Sequence, residues 1–97
     1  MEVWLQAIAP GAATPVHRHA CEEVVVILSG SGTCTVAGKT TEFGPNSTLI
    51  LEPDVVHQIV NTSDVEMKLV AVFGMAPVRV LTAEGDPMPL PWDAPAK

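Results

Sequence analysis

The stretch Thr14-Pro15-Val16-His17-Arg18-His19-Ala20-Cys21-Glu22-Glu23-Val24-Val25-Val26-Ile27-Leu28-Ser29-Gly30 decides how this chain folds. Its second half is a run of β-branched and aliphatic residues closed by Ser29-Gly30-Ser31-Gly32, the composition of a strand followed by a turn. Its first half leaves Pro15 in extended form and sets His17 and His19 two positions apart. Side chains with period two share one face of a strand, so both imidazoles can reach one point. Glu23 has the same parity, and a turn at Ala20-Cys21 is expected to bring its carboxylate back, giving three donors from one hairpin. Parity turns the neighbouring Glu22 away.

Outward from this stretch the chain reads as all-β. No segment repeats apolar residues at i, i+3, i+4 and i+7 over three turns. Strands are expected at Val3 to Ala9, Val16 to His19, Val24 to Leu28, Thr33 to Ala37, Thr40 to Phe43, Thr48 to Leu51, Val56 to Val60 and Glu66 to Gly74. The turn signals between them include Pro10-Gly11, Gly38, Gly44-Pro45-Asn46, Pro53-Asp54 and Asn61-Thr62-Ser63-Asp64. Short, regularly spaced strands of this kind imply a sandwich or barrel. Five of the nine prolines, Pro77, Pro87, Pro89, Pro91 and Pro95, fall after Ala76. Residues 1–97 are therefore expected to form a single domain, with a barrel core over 1–75 and a Pro-rich C-terminal tail over 76–97 packed on it. Val78 to Leu81 can add an edge strand.

Composition bounds the partners. The 97 residues are 47% hydrophobic and 16% charged, which suits a folded chain. The formal charge is −6, and Arg18, Lys39, Lys68, Arg79 and Lys97 are scattered, so no basic patch exists for nucleic acid. Apolar runs reach five residues, as in Val24 to Leu28, against about 20 for a helical membrane span. Met1-Glu2-Val3-Trp4 has no basic n-region, so the expected location is cytoplasmic. Cys21 and Cys34 are expected as buried free thiols rather than a disulfide. Cys21 is not needed as a donor, since the cluster closes without it. A domain this small has edge strands and apolar surface to cover, and a homodimer is expected.

The third and last histidine, His57, stands 34 residues beyond Glu23 in another candidate strand. Gly11, five residues, His17-x-His19, three residues, Glu23, six residues, Gly30 resembles the first cupin motif at every defined position. The second cupin motif is matched in part. His57 and Asn61 keep its His-x3-Asn spacing, while Asn46 and Asp54 stand where the family has glycine and Glu52 where it has proline. Asn and Asp are the residues besides glycine that best accept positive φ. The resemblance implies a jelly-roll-like cupin barrel in which His17, His19, Glu23 and His57 bind one divalent metal ion. Such donors are compatible with manganese, iron, nickel, cobalt and copper as well as zinc, because borderline ligands select by geometry and supply.

The chain also resembles the plant auxin-binding protein family. The likeness runs through Glu2-Val3-Trp4-Leu5-Gln6, Thr14 to Val24, Asn46-Ser47-Thr48, His57-Gln58, Asn61 and Pro91-Trp92-Asp93. It implies zinc as the first choice of metal, and a ligand pocket that includes Thr14, Pro15 and Trp92, with Gln6 as a polar contact. The family's N-terminal extension and ER-retention signal are not expected here, and the sequons at Asn46 and Asn61 are expected to be inert. The expected function is binding of a small aromatic or apolar carboxylate at an open metal position. The alternative is a small metal-dependent cupin enzyme: a dioxygenase, isomerase or lyase.

Overall fold

In the computed structural model, residues 1–88 are described, and they form nine strands and no helix. The strands are β1 (Glu2–Ile8), β2 (His17–His19), β3 (Glu23–Ser29), β4 (Gly32–Val36), β5 (Lys39–Phe43), β6 (Thr48–Leu51), β7 (His57–Asn61), β8 (Met67–Phe73) and β9 (Val80–Thr82). All eight strands expected from the sequence are present, displaced by a residue or two at most. The edge strand expected at Val78 to Leu81 forms as β9 at Val80–Thr82.

Two antiparallel sheets enclose the core. One runs β1-β8-β3-β6 and the other β5-β4-β7-β2-β9. The aliphatic run of β3 alternates: Val25 and Ile27 are fully buried, while Val24 and Val26 lie on the outer face, half-buried. Met67, Leu69, Ala71 and Phe73 of β8 are buried on the same inner side, with Leu51 of β6. Facing them, Cys34 and Ile59 fill the interior from the second sheet. Cys21 and Cys34 are both buried free thiols, as expected.

One sequence expectation is overturned. His17, His19 and Glu23 do not share a hairpin, because β2 pairs with β7 and β9 whereas β3 pairs with β6 and β8 in the opposite sheet. The segment Ala20-Cys21-Glu22 is a corner that carries the chain between sheets, tied by the Glu22 carbonyl accepting from Gly74 N at 3.0 Å. Parity still turns all three side chains inward, since the inner faces of both sheets look into one interior.

Two backbone features fix this frame. Asn46 and Asp54 take φ of 68° and 62°, so the residues standing in for family glycines adopt the left-handed turns expected of them. At Gly32 a Cβ would lie 1.9 Å from the carbonyl oxygen of Val60, which makes glycine obligatory where β4 approaches β7.

Candidate metal centre

His17 sits opposite His57 in the β2–β7 pairing, and His19 follows on the same inner face. The rings of His17 and His57 meet at 4.4 Å between centroids and those of His19 and His57 at 4.9 Å. The ligating atoms of all three histidines lie within 4.8 Å of one another. His19 and His57 are buried, and His17 lies at the mouth.

Each ring is oriented by a backbone carbonyl. Nδ1–H of His17 donates to Pro15 O at 2.6 Å, that of His19 to Cys21 O at 3.2 Å and that of His57 to Val55 O at 2.9 Å. A carbonyl only accepts, so Nδ1 carries the proton in all three and each neutral ring has its lone pair on Nε2. Metal-ligating imidazoles are held in their tautomer in this way.

Glu23 approaches from the other sheet. Its Oε1 lies 2.9 Å from His19 Nε2 and 3.5 Å from His57 Nε2. With Nδ1 protonated, His19 Nε2 and the carboxylate are both acceptors, so their contact requires a proton or a cation between them. His57 Nε2 is buried with no hydrogen-bond partner among the described residues. An orphaned lone pair is costly unless something electrophilic meets it. The two spacings bracket the roughly 3.3 Å edge of a tetrahedron with zinc–nitrogen bonds of about 2.0–2.1 Å. The residues therefore fit a divalent ion.

Electrostatics agrees with this role. Burial alone raises the Glu23 pKa, but in the metal-free protein the His19 and His57 rings beside it, once protonated, outweigh burial and bring the carboxyl to about 2. Burial lowers the His17 pKa and the nearby His57 and His19 lower it further, against the Pro15 hydrogen bond and Glu23, so its ring stays neutral below the ordinary 6.5. Both shifts favour the ligating forms.

A mouth of about 100 Å³ opens above His17, Glu23 and His57. Gln6, Thr14 and Pro15 line it. Thr14 also ties the turn, its Oγ1 accepting from Ile59 N at 3.0 Å. Trp92 lies outside the described residues. Trp4, Ile59, Phe73, Val80 and Met88 complete the wall and were not singled out from the sequence. Trp4 had a signal, since it shares the parity of Gln6 in β1. Phe73 had none in the sequence: it joins the site through the register that sets it beside Glu2 and Glu23, and its ring meets Trp4 at 4.4 Å between centroids. Asn61 ties a turn. It is fully buried, donates to Ile8 O and Val65 O, and accepts from Ser63 N and Oγ.

A family model described as auxin binding protein matches residues 1–94. Auxin-binding protein 1 of Arabidopsis thaliana is 39% identical over 98 residues, spanning 92% of this chain and 50% of that protein. Among solved structures, a cupin protein from Bacteroides fragilis is 32% identical with a TM-score of 0.69, covering 77% of this chain and 65% of that one. A cupin 2 conserved barrel domain protein from Salinispora arenicola is 26% identical with a TM-score of 0.70, covering 76% of this chain and 62% of that one. The two-sheet fold is thus a cupin barrel. The chain spans about half the length of the Arabidopsis relative.

Proposed function

This chain belongs to the auxin-binding protein family, and from that membership we propose that it binds a small aromatic or apolar monocarboxylate at a divalent metal ion held by His17, His19, Glu23 and His57. The observation that carries the proposal is the set of three Nε2 lone pairs, each freed by an Nδ1–H bond to a carbonyl, converging beside the Glu23 carboxylate.

A bound divalent cation supplies a positive centre with one or two open positions for an anionic oxygen. The chain's own residues account for the rest. No Lys or Arg lines the mouth among the described residues, so a carboxylate entering it finds no other countercharge. Trp4, Phe73, Ile59 and Val80 offer apolar walls to the remainder of the ligand. Gln6 and the Thr14 hydroxyl are the polar groups at the rim that can orient it. The relatives are named for binding auxin, an aromatic carboxylic acid of this chemistry. Zinc is the proposed ion.

Calorimetry of the zinc-loaded protein with indole-3-acetate and benzoate tests this. Heat from either acid that disappears in His57→Ala supports the assignment. No heat from either, or equal heat after the substitution, overturns it. Oxygen consumption by the iron-loaded protein would instead mark it as an enzyme.

A further inference from the structure

Glu2 is not itself in the wall of the mouth, yet it holds two parts of that wall. It shares the inward parity of Trp4 and Gln6 on β1, both of which line the mouth, and the register of the first sheet sets it beside Phe73. One carboxylate oxygen, Oε2, accepts from Trp4 Nε1. The other, Oε1, accepts from Val78 N at 3.2 Å.

These two donors belong to different sides of the barrel. β1 is an edge strand of one sheet and β9 an edge strand of the other, so no ladder joins them. Trp4 is carried by β1, whereas Val78 leads into β9, which pairs with β2 and sets Val80 beside His19. Val80 O in turn accepts from Met88 N at 2.8 Å, and both Val80 and Met88 line the mouth. Glu2 therefore ties the aromatic side of the mouth to the segment that closes the other side.

A carboxylate suits this place because it only accepts, and both N–H groups only donate. An amide would turn its own NH2 toward one of them. Val78 is buried, so its N–H is costly to leave unmet. With its N–H held by Glu2, Trp4 gives the mouth ring surface, and the indole is kept from swinging across the opening. A wall fixed before binding loses less freedom when a flat ring settles on it.

We propose that Glu2 is a positioning residue for the mouth: by tying Trp4 to the segment entering β9 it sets the width of the opening, and so favours planar aromatic acids over compact aliphatic ones. The preference rests on the metal-site reading above; the tie itself does not.

Two readouts separate them. In nitrogen–proton correlation spectra of the metal-free protein, the Trp4 indole signal is assigned by its loss in Trp4→Phe. It should move, and exchange with solvent roughly tenfold faster, in both Glu2→Gln and Glu2→Ala. Calorimetry of the zinc-loaded variants, their folding checked by circular dichroism, should show indole-3-acetate bound roughly tenfold more weakly while isobutyrate and zinc bind as in the parent protein. An indole signal unmoved in both variants overturns the tie. Equal weakening of both acids, or of neither, overturns the preference and leaves the metal-site reading standing. No heat from either acid with the parent protein overturns that reading and the preference with it, and the indole signal then decides the tie alone.

Discussion

His19 Nε2 lies 2.9 Å from Glu23 Oε1 although the two side chains leave opposite sheets of the barrel. Three residues separate them in sequence, but the corner that these form at Ala20-Cys21-Glu22, not a strand pairing, makes them neighbours. The contact joins two acceptors, so the metal-free protein must hold a proton where a cation would sit.

Zinc binding should therefore release protons near neutral pH. Calorimetry in buffers of differing ionisation enthalpy reads this directly, and the release should shrink in Glu23→Gln. That substitution removes a donor rather than a supporting partner, so affinity should fall by more than the roughly 10–100-fold that loss of a supporting partner costs.

Acid should destabilise the metal-free barrel in two stages. His17 is held below 6.5 by burial, so as pH falls through 6.5 the unfolded chain takes up a proton before the folded one does, and stability drops. Glu23 is depressed from 4.5 to about 2, so its contribution is present above 4.5 and is lost as pH falls toward about 2. Thermal melts across pH should show both declines. His17→Gln should flatten the first and leave the second; an unchanged first decline would contradict the assignment.

Gly32→Ala should be among the most damaging single substitutions. Its Cβ would sit 1.9 Å from the Val60 carbonyl oxygen, forcing β4 away from β7. A loss of at least about 3 kcal/mol is expected. Because His57 lies on β7, zinc affinity measured on any residual folded protein should fall as well.

Ala37→Asn should stabilise. Ala37 and Gly38 connect β4 to β5 with φ of 50° and 83°, the two positive values of a type I′ turn. Alanine is strained there, while Asn-Gly is the favoured pair, so a gain of about 0.5–1 kcal/mol in chemical unfolding is expected. The side chain is exposed, so no packing is disturbed.

Asn61→Ala should cost about 1–3 kcal/mol, since it leaves the buried Ile8 carbonyl without its Asn61 donor and removes the bonds that tie Val65 O and Ser63 N into the turn. Zinc affinity of the folded fraction should be unchanged, which separates a turn-tying role from a ligand contact.

Much of this was legible in advance because β-structure writes itself at short range. Alternation, β-branching and turn residues depend on neighbours two to four positions apart, so strand positions followed from them. The same period turned His17, His19 and Glu23 inward, and the resemblance to the cupin motifs added His57 to them. Left-handed turns at Asn46 and Asp54 were readable for the same local reason.

Pairing between strands is not local, and there the sequence was silent or misleading. Whether β3 continues the sheet of β2 or crosses to the other depends on which strands bury its two faces, a competition among segments dozens of residues apart. The hairpin expectation failed on that point. The same competition brought Phe73 against Trp4 at the mouth and closed the three imidazole lone pairs around one point. The sequence by itself determined which side chains face inward, because that is a matter of parity. Only the tertiary structure decided which of them meet, because cross-strand register is set by the core as a whole.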